Sequence, residues 1–108
     1  MAEVVFINAF EVPAGREAAF LDLWTEMDDY MRSFPGYRWR SLYQSLDDEG
    51  RLRFVNVAGW DSAAAFDAAH GERFRTLQGQ EGWREFPAFP SLYEAIREDR
   101  RADVGATR

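Results

Sequence analysis

Two asparagines placed in apolar segments are the residues of this sequence best suited to chemistry. Asn8 lies in residues 4–12 and Asn56 in residues 51–60, and both segments show the composition and alternation of strands. Each amide then shares a face with hydrocarbon and aromatic side chains, because side chains alternate between the two faces of a strand. A buried amide without partners costs roughly 1 to 3 kcal/mol. Each asparagine is therefore either bonded within the core or faces a cavity where a ligand or water bonds it.

Further side chains could complete a site around these amides. Trp60, on the face of Asn56, could donate its indole N–H or form a stacking wall, or it could belong to the core. His70 could accept a proton, although a single histidine at a helix end is also typical of a surface or capping residue. Arg40 could pair with an acidic substrate group or form a surface ion pair. The candidate aromatic contacts to a substrate are Phe6, Phe10, Phe54 and Phe66.

The composition excludes several classes of site. The absence of cysteine excludes thiolate nucleophiles and Fe–S clusters, and all 13 basic residues are arginine, which excludes Schiff-base chemistry through lysine. Because His70 is the only histidine, a zinc site with several imidazole ligands is excluded as well. A net charge of −6 disfavours nucleic acid and anionic membranes as partners. With no export signal and no run of roughly 18 apolar residues, we expect a cytoplasmic protein.

The first half of the chain predicts a strand followed by a helix. Residues 4–12 predict a strand that is buried on both faces and ended by a turn. Residues 16–33 predict an amphipathic helix with a single apolar stripe, whose simplest role is to cover one face of a sheet. We interpret Trp24, within that stripe, as a core residue.

A hairpin and a second helix follow. Residues 37–46 and 51–60 predict two strands joined by a polar turn. In the first of these strands, alternation places Tyr37 and Trp39 on the same face. Residues 63–70 predict a short helix.

The C-terminal part predicts one more strand and a tail. Residues 72–78 predict another turn of helix, and residues 86–90 are too rich in proline for a central strand. They can lead into an edge or swapped strand over residues 91–96, although that segment could also form a helix. Residues 98–108 are charged and rich in small residues, so we expect disorder there, with residues 1–97 forming one domain.

This order of elements predicts an α+β fold of the ferredoxin-like βαββαβ type with an antiparallel four-stranded sheet. Helices would cover one side of the sheet and leave the other bare, and 16% of the residues are aromatic. Two sheets packed face to face would hide the bare side, which predicts a homodimer with a closed, barrel-like interior. We expect Asn8 and Asn56 to point into an aromatic-walled hollow that closes only when two copies meet.

Three segments carry a resemblance to a known family. They are Val4-Val5-Phe6-Ile7-Asn8-Ala9-Phe10-Glu11-Val12-Pro13-Ala14-Gly15, then Phe34-Pro35-Gly36-Tyr37, then Trp60-Asp61-Ser62 with Ala65-Phe66. These segments resemble the antibiotic biosynthesis monooxygenase (ABM) family of dimeric α/β barrels, and the likeness spans roughly residues 3 to 96. The resemblance implies the ferredoxin-like fold and a homodimer.

The opening strand is similar to that of the haem-degrading branch of this family. The resemblance implies that Asn8 helps to form a haem site. That branch also carries an axial histidine at a position that falls near Gln78 here, and a distal tryptophan at the position of Ala69. The only histidine, His70, lies about two helical turns earlier. Haem would therefore bind through His70 or an unusual ligand.

A second branch, the cofactor-independent oxygenases that convert phenolic polyketides into quinones, also resembles this sequence. The resemblance implies active-site roles for Asn56 and for Trp60 four residues later, and it places a tyrosine of that branch near Phe66. We therefore expect a monooxygenase without a cofactor that oxidises an aromatic polyketide-like phenol with O2. The alternatives are a haem-binding or haem-degrading monooxygenase, and a non-oxidative ligand-binding or cyclase-like dimer on the same fold.

Overall fold

The computed structural model describes residues 3–99 of the 108-residue chain. Of the tail that the sequence predicts to be disordered, 98–108, all but the first two residues lie outside this described part. The predicted α+β class and its ferredoxin-like, antiparallel four-stranded sheet are confirmed. The elements are β1 (Val4–Phe10), α1 (Glu17–Met31), β2 (Tyr37–Gln44), β3 (Phe54–Trp60), α2 (Ala63–Ala69), α3 (Glu72–Gln78), a 3₁₀ helix (Glu81–Glu85) and β4 (Ala88–Tyr93).

The sheet places the two candidate asparagines side by side. Its strand order is β2-β3-β1-β4, and every neighbouring pair is antiparallel. In the ladder between β1 and β3, Asn8 lies directly opposite Asn56. Cross-strand neighbours on the same face of a sheet have their Cβ atoms roughly 4.5 to 5.5 Å apart. The two amides therefore share one face of the sheet at its centre.

The helices cover that same face and form the core against it. Near one end of β1, Phe10 and Phe54 pack on Phe20 of α1, which is fully buried. Near the other end, Trp60 packs with Ala69 of α2. Full burial of a phenylalanine side chain stabilises a fold by roughly 1.5 to 3 kcal/mol, so these contacts hold α1 and α2 on the sheet.

Local sequence signals explain where the helices begin. Gly15 adopts a positive φ of 87°, a conformation that favours glycine, in the turn between β1 and α1. Ser62 accepts a hydrogen bond from the backbone N–H of Ala65 at 3.1 Å and so caps α2. Gly36 lies against that helix, because a Cβ at this position would come within 2.6 Å of the Ala65 Cβ atom.

The prediction that Tyr37 shares a face with Trp39 is wrong. Tyr37 pairs with Trp60 and Trp39 pairs with Gly59, so the register shifts between them. Such a bulge adds one residue to a strand and resets the alternation of its side chains. Tyr37 therefore lies, like Arg40, on the face of the sheet that the helices cover, whereas Trp39 lies on the opposite face.

The last strand begins three residues earlier than predicted, at Ala88, and ends at Tyr93 rather than at residue 96. It contains Pro90, which has no backbone N–H to donate. This residue is tolerated because β4 lies at the edge of the sheet, where one side of the strand makes no ladder. Within residues 3–99, β4 pairs with β1 of its own chain.

The side of the sheet away from the helices is not covered by any described element. By strand alternation this outer face carries Ile7 and Val57, both partly buried, at its centre. The expectation that β1 is buried on both faces is therefore wrong for the single chain. Four large aromatic side chains, 41 to 58% exposed, also lie on the outer face: Trp39, Tyr43, Phe89 and Tyr93. None of the helices within residues 3–99 is long and apolar enough to span a membrane.

Candidate functional site

A cavity of about 530 Å³ lies between the helices and the sheet. This volume falls within the range of roughly 300 to 1,000 Å³ that is typical of ligand pockets. Its walls are largely apolar, and Asn8 and Asn56 lie on the sheet side. The aromatic side chains that line it include Phe6, Phe10, Trp24, Trp60, Phe66 and Phe74.

The cavity is formed within one chain. The sequence led us to expect a hollow that closes only between two copies, and the structure contradicts this. The two amides share a face with Phe6 and Phe10, and that is the face which the helices of the same chain cover. The bare face of the sheet, where a second copy could pack, lies on the other side.

Asn56 is oriented by a residue of α1. The indole Nε1 of Trp24 donates a hydrogen bond to Asn56 Oδ1 at 3.2 Å. Because an indole N–H can only donate, this contact identifies the oxygen of the amide and leaves its NH2 group on the other side. Trp24, interpreted from the sequence as a core residue, thus lines the cavity and positions a polar group in it. Helical periodicity could place Trp24 on the inner face of α1 but could not identify its partner.

Asn8 carries a polar atom with no partner among the described residues. Its Oδ1 atom is buried and makes no hydrogen bond there. A carbonyl oxygen in this state carries a desolvation cost that a ligand donor in the cavity would remove. Of the two amide oxygens, that of Asn8 is therefore the one without a hydrogen bond within residues 3–99.

His70 lines the cavity and serves as the C-terminal cap residue of α2. Its Nδ1–H group donates a hydrogen bond to the carbonyl oxygen of Phe66, with the two atoms 2.6 Å apart. This bond selects the tautomer in which Nε2 carries a lone pair. The ring stacks on Phe66 at 3.9 Å and packs against Phe74 at 4.5 Å. Burial lowers the pKa of His70 below its usual value, which favours the neutral imidazole.

Trp60 forms a rigid wall beside His70. It is only 1% exposed, and its ring lies 4.9 Å from that of Tyr37 and 5.7 Å from that of Phe66. The geometry suits the stacking role that the sequence suggested. A planar ligand in the cavity would meet an aromatic surface here.

Two of the candidate substrate contacts are placed elsewhere. Phe54 stacks on Phe20 with their ring centroids 4.9 Å apart, and it belongs to the core rather than to the cavity lining. Arg40 donates from Nε to both carboxylate oxygens of Asp28, at 3.1 and 3.2 Å, and its charge is matched there. The structure therefore brings together seven of the nine candidate residues, and it leaves out Phe54 and Arg40.

A hydrogen-bonded pair of polar side chains that was not predicted from the sequence also lines the cavity. Asp28, 6% exposed, accepts a hydrogen bond from the Tyr37 hydroxyl at 2.8 Å, and both residues line the cavity. Burial, together with the hydrogen bond to Asp28, raises the pKa of Tyr37 well above its usual range. The pair was missed because the bulge in β2 moves Tyr37 to the inner face.

The mouth of the cavity is marked by exposed lining residues on α3, the 3₁₀ helix and β4. They include Gln78, Arg84 and Ser91. Gln78, where the resemblance places an axial haem ligand, is thus at the rim. Residues 3–99 contain no group of three or more His, Cys, Asp or Glu side chains that could hold a metal ion.

A family model described as antibiotic biosynthesis monooxygenase matches residues 3–80. The chain belongs to the antibiotic biosynthesis monooxygenase (ABM) family. The family predicted from the three sequence segments is thereby confirmed. A comparison with curated proteins finds no match to this ABM chain.

Solved structures of similar proteins share the ABM fold. A candidate monooxygenase from Shewanella loihica PV-4 is 35% identical, with 90% of this chain and 97% of that chain covered and a TM-score of 0.78. SnoaB, a cofactor-independent oxygenase from Streptomyces nogalater, is 24% identical over 91% of this chain and 97% of its own, with a TM-score of 0.76. The haem-degrading protein Rv3592 from Mycobacterium tuberculosis is 24% identical, with 91% and 99% covered and a TM-score of 0.64. This fold thus occurs both in a cofactor-independent oxygenase and in a haem-degrading protein, so the fold alone does not decide the cofactor.

Proposed function

We propose that this ABM protein is a cofactor-independent monooxygenase that oxidises an aromatic polyketide-like phenol with O2. The observation that carries the proposal is the cavity, in which a free acceptor on His70 and the amide of Asn56 lie among aromatic walls. A planar apolar ligand with a few oxygen atoms is complementary to such a surface. The family and the likeness in fold to a cofactor-independent oxygenase support the same class of reaction.

The chemistry follows from the polarity of these groups. His70 Nε2 accepts the proton of the phenol, and the Asn56 NH2 group donates to the oxyanion that forms. The phenolate then supplies two electrons to O2, and a C–O bond forms at a ring C–H carbon that is conjugated with the oxyanion. The His70 imidazolium returns its proton to the peroxide anion to give a hydroperoxide. Loss of water breaks the O–O bond and leaves a carbonyl. One oxygen atom of O2 is thus in the product and the other is in water.

The apolar walls contribute by excluding water. The phenolate is held by the Asn56 amide dipole and by the protonated His70 rather than by water. In this apolar site such interactions stabilise charge on oxygen more strongly than they would in water. Trp60 and Phe66 supply the flat surfaces that orient the ring. Asn8 is a second amide donor beside Asn56. These roles of Asn8, Asn56, Trp60 and His70 are part of the proposal.

Oxygen uptake tests the proposal directly. Purified protein, treated with a chelator and free of flavin, is mixed with a dihydroxyanthracene-type phenol, and O2 consumption and quinone formation are recorded. We expect uptake that Asn56→Leu reduces at least about tenfold, the loss typical of a missing oxyanion donor. Gln44→Leu, which alters an exposed amide on β2 outside the cavity, serves as the control. Binding of the phenol without uptake would instead indicate the non-oxidative, ligand-binding alternative.

Haem binding is a second candidate, and the arrangement of His70 favours it. A histidine whose Nδ1–H is held by a carbonyl and whose Nε2 is open is also the arrangement of a metal-ligating imidazole. His70 would hold the iron, Asn8 would lie beside the porphyrin, and haem would supply the activation of O2. A Soret shift on adding haemin that is lost in His70→Ala would support this candidate, and an unchanged spectrum would remove it.

We also propose that two copies pair through the outer face of the sheet. Val57 and Ile7 at its centre, with the exposed aromatic side chains around them, form an apolar surface of the kind that marks an interface. A twofold axis would pack the outer face of one copy against the same face of the other, so that apolar side chains of both sheets contact each other. This homodimer would leave the cavity of each chain separate.

A further inference from the structure

We propose that the Tyr37 hydroxyl oxygen is an acceptor for a ligand hydroxyl in the cavity, and that Asp28 holds it in this state by accepting its proton in a hydrogen bond. The inference rests on the proposed function in taking the ligand to be a hydroxylated aromatic compound. It adds a further hydroxyl-binding group to the acceptors on Asn8 Oδ1 and His70 Nε2.

The direction of the hydrogen bond between Tyr37 and Asp28 supports this assignment. The two oxygens lie 2.8 Å apart. Asp28 is ion-paired with Arg40 at 3.1 Å and with Arg32 at 3.6 Å, so it is a carboxylate and has no proton to give. The hydroxyl proton of Tyr37 must therefore point to Asp28. What remains on the Tyr37 oxygen is a lone pair, which can only accept.

Packing holds this oxygen in place. The Tyr37 ring lies 4.9 Å from the Trp60 ring, and Trp60 is itself almost fully buried. The Arg40 guanidinium holds both oxygens of Asp28, which restrains the carboxylate that Tyr37 bonds. A preorganised acceptor of this kind discriminates better than a mobile one, because little freedom is lost when the ligand binds.

The subsite has the opposite polarity to that of Asn56. Trp24 donates a hydrogen bond to the oxygen of Asn56, so the NH2 group of Asn56 is left to donate to a ligand. Asp28 accepts the hydroxyl proton of Tyr37 in a hydrogen bond, so the oxygen of Tyr37 is left to accept. The cavity thus distinguishes two kinds of ligand oxygen: a carbonyl or oxyanion is bound at Asn56, and a hydroxyl is bound at Tyr37. An O-methylated ligand has no proton for Tyr37 and would be discriminated against.

The test compares β-naphthol with its methyl ether by isothermal titration calorimetry on the full-length protein. The two probes differ by one methyl group, and neither needs to react. We define the selectivity as the association constant of β-naphthol divided by that of the ether. In Tyr37→Phe the ring remains and the oxygen is lost, so we expect the selectivity to fall about tenfold, as for one hydrogen bond.

Tyr43→Phe is the matched control. It makes the same change on the same strand, but on the outer face of the sheet, and we expect the selectivity to stay at the wild-type value. Asp28→Asn is the second test variant, because an amide can donate to Tyr37 and free its proton to bond the ether oxygen. The selectivity should then shift toward the ether. This variant decides the matter if Tyr37→Phe fails to fold by circular dichroism.

Several results would overturn the subsite. They are an unchanged selectivity in Tyr37→Phe, an equal loss in Tyr43→Phe, an unchanged selectivity in Asp28→Asn, or no binding of either probe to the wild-type protein at millimolar concentration. The test is separable from that of the proposed function. Selectivity that depends on Tyr37 in a protein without oxygen uptake would refute the monooxygenase but keep the subsite, and the reverse pattern would refute the subsite alone.

Discussion

Replacing Asn8 with leucine should stabilise the protein and abolish its oxygen uptake. Leucine has nearly the shape of asparagine, but it carries no amide. The Asn8 Oδ1 atom is buried and has no hydrogen-bond partner among the described residues. An unsatisfied group of this kind costs roughly 1 to 3 kcal/mol, and removing it returns that free energy to the folded state.

The matched variant is Asn56→Leu, and it should have the opposite sign. The two asparagines face each other across the ladder, are both partly buried and line the same cavity. Asn56, however, accepts the 3.2 Å bond from Trp24, so its removal leaves a part-buried indole N–H without an acceptor. We expect this variant to lose about 1 kcal/mol of unfolding free energy.

Thermal and urea unfolding at one fixed protein concentration measure both changes. For a domain of this size a change of 1 kcal/mol moves the midpoint by roughly 4 to 8 °C. Asn8→Leu should therefore melt several degrees above the wild type, and Asn56→Leu several degrees below it. A lower midpoint for Asn8→Leu, or the same sign for both variants, would refute the view that Asn8 is held in place for a ligand at the expense of stability.

Three further predictions follow from the same geometry. Burial lowers the pKa of His70, so near that pKa the unfolded chain binds more protons than the folded one. The contribution of His70 to the free energy of unfolding should therefore be fully present above about pH 6.5 and should decline as the pH falls below it. Urea unfolding across this range should show the decline in the wild type and a flatter profile in His70→Phe. Val57→Arg places a charge at the centre of the outer face, so we expect analytical ultracentrifugation to show a dimer for the wild type and monomers for the variant, with an unaltered circular dichroism spectrum as the sign that the fold survives. Trp24→Phe releases the Asn56 amide while keeping an aromatic wall, so kcat for oxygen uptake should fall about tenfold with little change in KM, and an equal rise in KM alone would show that Trp24 only contacts the substrate.

The sequence by itself determined that β1, β2 and β3 are strands, which residues of β1 and of β3 share a face, and the family. Alternation along a strand follows from covalent geometry, so Asn8 could be assigned to the face of Phe6 and Phe10 without any tertiary information. The order of elements likewise restricted the topology to the ferredoxin-like sheet that is observed. The residues that could carry chemistry were also evident, since there is one histidine and no cysteine or lysine.

Only the tertiary structure decided where the cavity lies and which groups act together in it. A pairing such as that of Trp24 with Asn56, 32 residues apart, depends on how α1 packs across the sheet, and no local pattern encodes that packing. The bulge that turns Tyr37 toward Asp28 is a shift of hydrogen-bond register between two strands, so it is invisible in the alternation of either one. Whether the amides faced a second copy or the helices of their own chain was decided by which side of the sheet α1 and α2 cover, and that depends on the packing of the whole chain.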